Sequence, residues 1–406
     1  MQSAKPEPTA ASPPSTPPGT PPAIGEQSLH ATAGSAPAGY PSVANGILPS
    51  QDIRALAAAG GIVTALPLAD GQVQPASIDL RLGPRAFRVR ASFLPSEGRP
   101  VADRIEELAL HSFEFGPEGK VLEVGCVYIV PLMETLALPA HVSAIANPKS
   151  STGRLDVFTR VIADGVPAFD TIPAGFSGQI WLEICPQSFP VIVRAGTRLA
   201  QLRFRSGTPD DGDRALAELH AIERLVSEGG DIDGGIRLSV DLAGEEIGGK
   251  GSDIIGYRAK RHSGVVDVDK PGSCDTLDFW EPIYGRGLRR LILDPDQFYI
   301  LASLEAVNVP PTHAAEMMPF NPLVGEFRVH YAGFMDPGFG FAAAGGAGSR
   351  IVLEVRSHKV PFILEHGQII GRLVYERLTA PPDLLYGRDL GSNYQAQGLK
   401  LSKHFR

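Results

Sequence analysis

Residues 147–183 read NPKSSTGRLDVFTRVIADGVPAFDTIPAGFSGQIWLE, and the rest of the chain is best understood outward from them. The segment opens with a turn in which Lys149 precedes two serines, a threonine and a glycine, and Arg154 follows at once. A cation, hydroxyls and backbone donors in one turn suit phosphate oxygens. The segment ends with Glu183 among apolar residues, a setting that suits proton transfer. These residue types predict half of a nucleotide site.

The composition describes a globular protein with room for more than one domain. The chain has 406 residues, of which 43% are hydrophobic, enough for two or three domains. Its net charge of −8 argues against a broad basic surface, so we expect no nucleic-acid partner and, at most, a compact basic pocket. Cys126, Cys185 and Cys274 are too widely spaced for a disulfide framework or a CxxC-type zinc site, so no metal ligands are predicted.

The sequence also allows a prediction of where in the cell the protein is located. No stretch approaches the roughly 18 apolar residues that would span a bilayer, and the N-terminus lacks the apolar core of a signal peptide. We therefore expect a cytoplasmic protein without a membrane partner.

Composition along the chain predicts where order begins. Residues 1–45 consist largely of Pro, Ala, Ser, Thr and Gly, which cannot bury enough surface to offset the entropy of ordering, so a disordered tail is expected. Short apolar segments separated by Gly and Pro follow, among them VYIVPL, GQIWLEI and RLAQLRF. Such segments predict a mainly β fold.

The two halves of the sequence repeat each other. A shift of 171 residues superposes five identical pairs, namely Tyr128 with Tyr299, Glu134 with Glu305, Pro139 with Pro310, Glu183 with Glu354, and Gly196 with Gly367. The repeat predicts two copies of one domain, which we call the first copy (residues 46–207) and the second copy (residues 208–382). Residues 383–406 form a separate C-terminal tail.

The two copies differ in the residues that could carry chemistry. The same shift places Ser150 on Asn321 and Arg154 on Gly325, whereas Glu183 keeps its carboxylate as Glu354. Only the first copy has the full set of Ser, Arg and Glu. We therefore expect the first copy to hold the chemistry and the second to be a structural partner.

These residues resemble the dCTP deaminases, a family that shares a β-barrel fold with the trimeric dUTPases. The resemblance rests on PASIDLRLG at residues 75–83, KSSTGRL at 149–155, the D-x-x-P-x-G-F-x-G turn at 170–178, and Leu182-Glu183. It implies two tandem dUTPase-like β-barrel domains of the β-clip type with short flanking helices, as in the long, two-domain bacterial members. Because short members are homotrimers with sites between subunits, it also implies a homo-oligomer with a trimer-like assembly of barrels.

The resemblance implies catalytic roles for four residues. Glu183 matches the carboxylate that activates water for attack on C4 of cytosine and passes the proton to the leaving ammonia. Ala163 matches the residue whose backbone carbonyl helps to hold that water. Ser150 and Arg154 match the pair that holds the nucleotide and supports the glutamate.

Further residues are implied to bind the substrate. Lys149 lies where the family has a phosphate contact, and Ser151 belongs to the same hydroxyl-rich turn. Asp170 matches a deoxyribose contact, but this chain has two extra residues inside the family's D-P-G turn, which weakens the match. The tail resembles a segment that closes over nucleotide in an adjoining subunit, through Tyr394, Gln397, Lys400 and Lys403.

The implied reaction is the metal-free, hydrolytic deamination of dCTP to dUTP and ammonia, which feeds dUMP and dTTP synthesis. One carboxylate in an apolar site can have its pKa raised enough to accept and then donate the proton. Zinc-dependent cytosine deaminases carry an H-x-E and P-C-x-x-C signature, which Cys185-Pro186 does not form. No cofactor is expected for the chemistry, Mg²⁺ is expected only with the triphosphate, and dTTP is a candidate inhibitor.

Three other functions stay open from the sequence. The chain could be a dUTPase, a bifunctional enzyme that deaminates dCTP and then removes pyrophosphate, or a non-catalytic dNTP-binding regulator. The serine and arginine with Ala163 and Glu183 downstream favour deamination over a dUTPase, and the complete set in the first copy argues against the regulator.

Overall fold

The structure is a computed structural model. It describes residues 45–95, 99–207, 212–244, 246–247, 250–251, 253–319, 327–329, 333–345, 348–357, 359–389, 394–395 and 397–406. Residues 1–44 of the expected N-terminal tail lie outside the described residues, as do Asn321 and Gly325 of the second copy.

Strands account for 44% of the described residues and helices for 12%, so the fold is mainly β, as predicted. Up to residue 207 the elements are β1 (Gly46–Ile47), α1 (Ser50–Ala58), β2 (Ile62–Thr64), β3 (Ile78–Arg81), β4 (Arg85–Val89), α2 (Val101–Leu108), β5 (Ala109–Glu114), β6 (Lys120–Leu122), β7 (Val127–Ala137), β8 (Val142–Pro148), α3 (Ser150–Gly153), β9 (Val157–Ala163), β10 (Thr171–Ile172), β11 (Ser177–Pro186), β12 (Val191–Val193) and β13 (Arg198–Ser206).

The elements that follow are α4 (Gly212–Glu223), β14 (Ile236–Ser239), β15 (Glu246–Ile247), β16 (Lys250–Gly251), β17 (Ile254–Ala259), β18 (Val266–Asp267), α5 (Thr276–Phe279), β19 (Trp280–Tyr284), β20 (Arg290–Leu293), β21 (Phe298–Val307), β22 (His313–Pro319), β23 (Phe327–Val329), β24 (Phe334–Met335), a 3₁₀ turn (Ala342–Ala344), β25 (Ser349–Ser357), β26 (Phe362–Glu365) and β27 (Ile369–Arg377). Within the described part of the chain, none of the helices has both the length and the apolar character to cross a membrane.

Each copy contains two main antiparallel sheets. In the first copy, β1-β13-β8-β10 form one sheet with β3 beside β13, and β5-β4-β7-β11-β9 form the other with β2 beside β7. The second copy has β14-β27-β22-β24 and β19-β17-β21-β25-β23. Glu183 on β11 lies opposite Ile129, and Glu354 on β25 lies opposite Ile300. Both pairs obey the shift of 171 residues, so the sequence repeat is also a repeat of strand register.

The alternation of side chains explains why these segments form strands. Along β8, buried and partly exposed residues alternate from Val142 to Pro148, as expected where one face of a strand packs on a core. One hydrophobic cluster fills the first copy and includes Trp280 and Phe298 of the second, and another fills the second copy. The first cluster therefore joins the two copies.

Aromatic packing fixes the second copy and the tail against the first copy. Phe189 is fully buried, and its ring lies 5.5 Å from Phe279, 5.3 Å from Trp280 and 6.3 Å from Phe405 of the tail. These are edge-to-face pairs, the geometry that aromatic quadrupoles favour. Beside them, β12 of the first copy pairs in parallel with β18 of the second.

Buried and partly buried ion pairs also join the copies. Arg203 on β13 lies 3.2 Å from Asp336, and Arg205 lies 3.2 Å from Glu316 and 2.8 Å from Glu376. These contacts fix the two walls of the space in which the candidate site lies.

Candidate active site

A cleft of about 270 Å³ lies between the two copies and the C-terminal tail. The first copy contributes Asp79, Lys149, Ser150, Ser151, Arg154, Arg198 and Gln201, among others; the second contributes Phe334, Met335, Asp336, Ile351, Val352 and Glu354; and the tail contributes Tyr386, Tyr394, Gln397 and Lys403. The cleft is thus a composite of both halves of the sequence.

The hydroxyl-rich turn lies along this cleft. Strand β8 ends at Pro148, and α3 closes at once through the amide of Gly153, which donates to the carbonyl of Lys149 at 2.9 Å. The amide of Arg154 donates to the carbonyl of Ser150 at 3.1 Å. This tight turn brings the predicted residues Lys149, Ser150, Ser151 and Arg154 together in the cleft.

One end of the cleft is rich in cations. The ammonium of Lys149 contacts the buried carboxylate of Asp79, and the guanidinium of Arg198 lies 3.7 Å from the same carboxylate. Lys403 also lines the cleft, and burial, helped by the charge of Lys149, lowers its pKa. Three cations therefore gather around Asp79 at this end, and Asp269 also acts on Lys403. Arg198 was not predicted; the only sequence signal was a cation at the head of an apolar strand.

Arg154 is held by the tail. It is 3% exposed, and its Nη1 donates to Oε1 of Gln397 at 3.0 Å and to the carbonyl of Lys400 at 3.0 Å. Its guanidinium carbon lies 4.0 Å from the centre of the Tyr394 ring. Its Nε lies 3.8 Å from Oε1 of Glu354.

Glu354 is the buried glutamate of the cleft. It lies on β25 and is 4% exposed. Burial raises its pKa to about 8, against the opposing effect of the Arg154 charge. A carboxyl group with a pKa near neutrality can both take up and return a proton under physiological conditions.

The structure corrects the sequence-based placement of Glu183. This residue does not line the cleft; it is buried on β11, where antiparallel pairing puts it opposite Arg160, and their side chains form an ion pair at 2.7 Å. From the sequence, Ser150, Arg154 and Glu183 were expected to act as one set in the first copy. In this chain Ser150 and Arg154 instead meet the glutamate at the equivalent position in the other copy.

Two further predicted residues lie away from the cleft. Ala163 ends β9, is buried, and its carbonyl accepts the amide of Val166 at 3.2 Å. Asp170 accepts the amide of Val161 at 2.7 Å, and burial raises its pKa to about 7. Neither lines the cleft, so the structure does not bring them to Ser150 and Arg154.

Asp336 is a cleft residue that the sequence analysis missed. It is buried, burial raises its pKa, and Arg203 opposes this shift by donating to Oδ1 at 3.2 Å. The guanidinium carbon of Arg203 also lies 4.0 Å from the centre of the Phe334 ring. A signal was available, because residues 336–340 read DPGFG, a shorter form of the turn DTIPAGFSG at residues 170–178.

The predicted tail residues divide between lining and bracing the cleft. Tyr394, Gln397 and Lys403 line it, whereas Lys400 contributes its carbonyl to Arg154. The tail is tied to the hydroxyl-rich turn because Oγ of Ser402 donates to the carbonyl of Ser151 at 2.8 Å.

The arrangement suits an anionic ligand with a reactive group beside Arg154 and Glu354. Cations at one end can bind phosphate oxygens, and the buried Arg154 and Glu354 can support proton transfer away from bulk water. Among the described residues, no group of three His, Cys, Asp or Glu side chains could hold a metal ion.

Comparisons with known proteins identify the family. The 2'-deoxycytidine 5'-triphosphate deaminase N-terminal domain matches residues 44–208, and the C-terminal domain of the same family matches residues 212–405. The chain is 34% identical over 165 residues to a "dCTP deaminase, dUMP-forming" of Parafrankia sp., covering 40% of this chain and 78% of that protein. It is 32% identical over 166 residues to a "dCTP deaminase" of Halorubrum lacusprofundi, covering 39% and 76%.

A solved structure extends the likeness to most of the chain. The 2'-deoxycytidine 5'-triphosphate deaminase of Agrobacterium tumefaciens is 60% identical, with a TM-score of 0.78, and the match covers 82% of this chain and 99% of that one. Both copies of the repeat therefore match the same family, and the chain belongs to the 2'-deoxycytidine 5'-triphosphate deaminases.

Proposed function

We propose that the chain is a dCTP deaminase, which converts dCTP and water to dUTP and ammonia in the cleft between the two copies. The observation that carries this proposal is the approach of Arg154 in the first copy to Glu354 in the second, beside a cation-rich end. The family to which the chain belongs, and the names of its relatives, support the same reaction.

In this mechanism Glu354 takes the role that the sequence suggested for Glu183. The ionised carboxylate accepts a proton from water as the water oxygen forms a bond to C4 of cytosine. The C4–N4 bond then breaks and the C4 carbonyl forms. Of the two water protons, one ends on N3 of uracil and the other on the departing ammonia, and Glu354 returns to its ionised form.

The neighbours of Glu354 support these steps. The positive charge of Arg154 favours the ionised carboxylate that must accept the proton. Ser150 lines the same cleft and can donate a hydrogen bond to the substrate. Asp336, held by Arg203, can accept a hydrogen bond from a sugar hydroxyl.

We further propose that the cation-rich end binds the triphosphate, with Mg²⁺ bound to the phosphates and not to dedicated protein ligands. Lys149, Arg198 and Lys403 supply the charge. Because dTTP carries the same triphosphate, it would compete for this end of the cleft and is the candidate inhibitor.

The second candidate function is a bifunctional enzyme that continues from dUTP to dUMP. The observation that favours it is the name "dCTP deaminase, dUMP-forming" on relatives such as that of Parafrankia sp.. The deamination step and its residues would be unchanged.

For the architecture, we propose two dUTPase-like β-barrel domains of the β-clip type at residues 46–207 and 208–382, followed by a tail at 383–406 that closes the cleft. The common strand register of Glu183 and Glu354 supports this division.

We also propose that the chain forms oligomers through a face of the second copy. In the first copy, Phe189 is fully buried against the second copy; its equivalent, Val360, is 54% exposed beside the cross-strand pair Ile292 and Ile363. Exposed apolar patches of this kind mark interaction sites. Ile363→Asp should lower the mass measured by light scattering, whereas Val63→Asp, at an exposed position on β2, should not; equal masses for all three proteins would contradict the proposal.

The function is tested by incubating the purified chain with dCTP and Mg²⁺ and separating the products by ion-exchange chromatography. We expect dUTP and ammonia in equal amounts. Recovery of dUMP and pyrophosphate would favour the bifunctional enzyme, and unchanged dCTP would overturn the enzyme and favour a non-catalytic nucleotide-binding protein.

A further inference from the structure

We propose that the C-terminal tail positions Arg154 for catalysis, with Tyr394 and Gln397 acting on the reaction through this arginine as well as lining the cleft. The proposal rests on the proposed function, because it assigns these residues to the proton-transfer step of the deamination.

The contacts of Arg154 are the first observation that supports this proposal. The residue belongs to the first copy, yet its guanidinium is held by groups from the tail: it stacks on the Tyr394 ring at 4.0 Å and donates to Gln397 and to the Lys400 carbonyl, each at 3.0 Å. A buried guanidinium needs such partners because its charge has lost its water. The tail therefore fixes where this charge lies.

Gln397 also binds the strand that carries Glu354. Its backbone carbonyl accepts the amide of Arg350 at 3.0 Å, and its Nε2 donates to the Arg350 carbonyl at 3.1 Å. Arg350 lies on β25, four positions before Glu354. Gln397 thus bridges the arginine of one copy to the glutamate strand of the other.

The arginine and glutamate do not hold each other directly. Nε of Arg154 lies 3.8 Å from Glu354, beyond hydrogen-bond distance, and this buried nitrogen has no hydrogen-bond partner among the described residues. Their relative position therefore depends on the bridge through the tail. The tail end is anchored in turn, by Ser402 on the Ser151 carbonyl and by Phe405 on Phe189.

The charges around Glu354 give this bridge a measurable effect. Arg154 is the charge that lowers the pKa of Glu354 against burial; Arg350 on the same strand pairs with Asp241, and Lys149 and Lys403 lie at the cation-rich end. If Arg154 moves away, burial is no longer opposed and the pKa of Glu354 rises. The acid side of the pH–rate profile then shifts to higher pH.

The test compares Gln397→Ala and Tyr394→Leu with Lys403→Ala in the full chain. The first two should lower kcat for dCTP by roughly tenfold to a hundredfold, the loss typical of a misplaced catalytic group, with KM changed by less than about threefold. They should also shift the acid limb of the pH–rate profile to higher pH. Tyr394→Phe, which keeps the ring, should restore most of the kcat lost in Tyr394→Leu. Lys403→Ala, which removes a cation from the group around Asp79, should mainly raise KM.

The outcomes separate this inference from the proposed function. If wild type deaminates dCTP but Gln397→Ala and Tyr394→Leu raise KM and keep kcat and the acid limb, the tail acts on the substrate alone and the inference is wrong. If wild type leaves dCTP unchanged, the proposed function fails first. Because the two variants disturb different contacts of Arg154, either one that keeps the wild-type circular dichroism spectrum decides the question.

Discussion

Arg154 and Glu354 come from different copies of the repeat, and their side chains approach to 3.8 Å in the cleft. Glu183, at the equivalent position in the first copy, instead forms an ion pair with Arg160 of its own sheet at 2.7 Å. Two glutamates with the same place in the fold therefore have different surroundings. Of these two described glutamates, Glu354 lines the cleft with Ser150 and Arg154, and Glu183 does not.

The first prediction separates these two glutamates. Glu354→Gln should lower kcat by about 10²–10⁴-fold, the range for loss of a general acid–base group, while binding of dCTP measured by calorimetry is largely kept. Glu183→Gln, the matched control, should reduce stability by breaking a buried ion pair and leave kcat per folded molecule close to wild type. Loss of turnover in the Glu183 variant alone would show that the glutamates are assigned the wrong way round.

The second prediction concerns the pH dependence of the rate. Glu354 must be ionised to accept a proton, and its pKa is about 8. The value of kcat/KM for dCTP should therefore rise with pH and level off above about 8, since kcat/KM reports groups of the free enzyme. Asp170, which lies outside the cleft, serves as the control, and Asp170→Asn should leave this limb in place. A rise of kcat/KM centred near pH 4.5 would contradict the assignment of Glu354 as the proton acceptor.

The third prediction concerns stability and Asp170. Its folded-state pKa, about 7, lies above its ordinary value of 3.8, so the folded chain holds the proton more tightly than the unfolded chain. This contribution is fully present below the ordinary pKa and is lost as pH rises through about 7. Asp170→Asn cannot ionise, so its Tm relative to wild type should increase between about pH 4 and pH 8. Differential scanning calorimetry measures both Tm values, and a difference that stays constant between these pH values would contradict the prediction.

The fourth prediction concerns the ion pair that joins the copies. Arg203 is fully buried and holds Asp336, so Arg203→Met leaves a buried carboxylate without its cation. Such a loss costs about 3–5 kcal/mol in the free energy of unfolding, measurable by urea denaturation. Arg214→Met breaks an exposed pair with Glu218 on α4 and should cost less than about 0.5 kcal/mol. Equal effects would mean that Arg203 contributes little to joining the copies.

The fifth prediction uses an equivalent pair of positions. Phe189 is fully buried among aromatic rings, whereas Val360, at the same place in the second copy, is 54% exposed. Phe189→Ala should lower the free energy of unfolding by about 3–5 kcal/mol, and Val360→Ala should change it by less than about 0.5 kcal/mol. Denaturation at a protein concentration at which light scattering shows a monomer measures both, and equal losses would contradict the different burial of the two positions.

Much of the fold and part of the site could be predicted from the sequence because they depend on local pattern. Alternating apolar segments predicted the strands, and the shift of 171 residues predicted their common register. The turn from Lys149 to Arg154 is continuous in the chain, so its residues had to lie close together. Tyr394, Gln397 and Lys403 also line the cleft.

Which of the two glutamates lines the cleft could not be predicted, because the local sequences are alike. Glu183 lies in WLEI and Glu354 in VLEV, both apolar strands with one carboxylate. What separates them is a partner on another strand, Arg160, and the packing of one copy against the other. Asp336 was missed for a related reason, since the second copy had been read as structural.

Because both copies belong to one chain, the composite cleft should persist when the protein is dilute. The copy that carries Arg154 and the copy that carries Glu354 belong to one polypeptide, so their association is intramolecular. Their effective concentration is set by the length and stiffness of the segment that connects them. That concentration stays constant on dilution. A site assembled from separate subunits would lose occupancy as the subunits dissociate, whereas here every folded chain brings both halves with it.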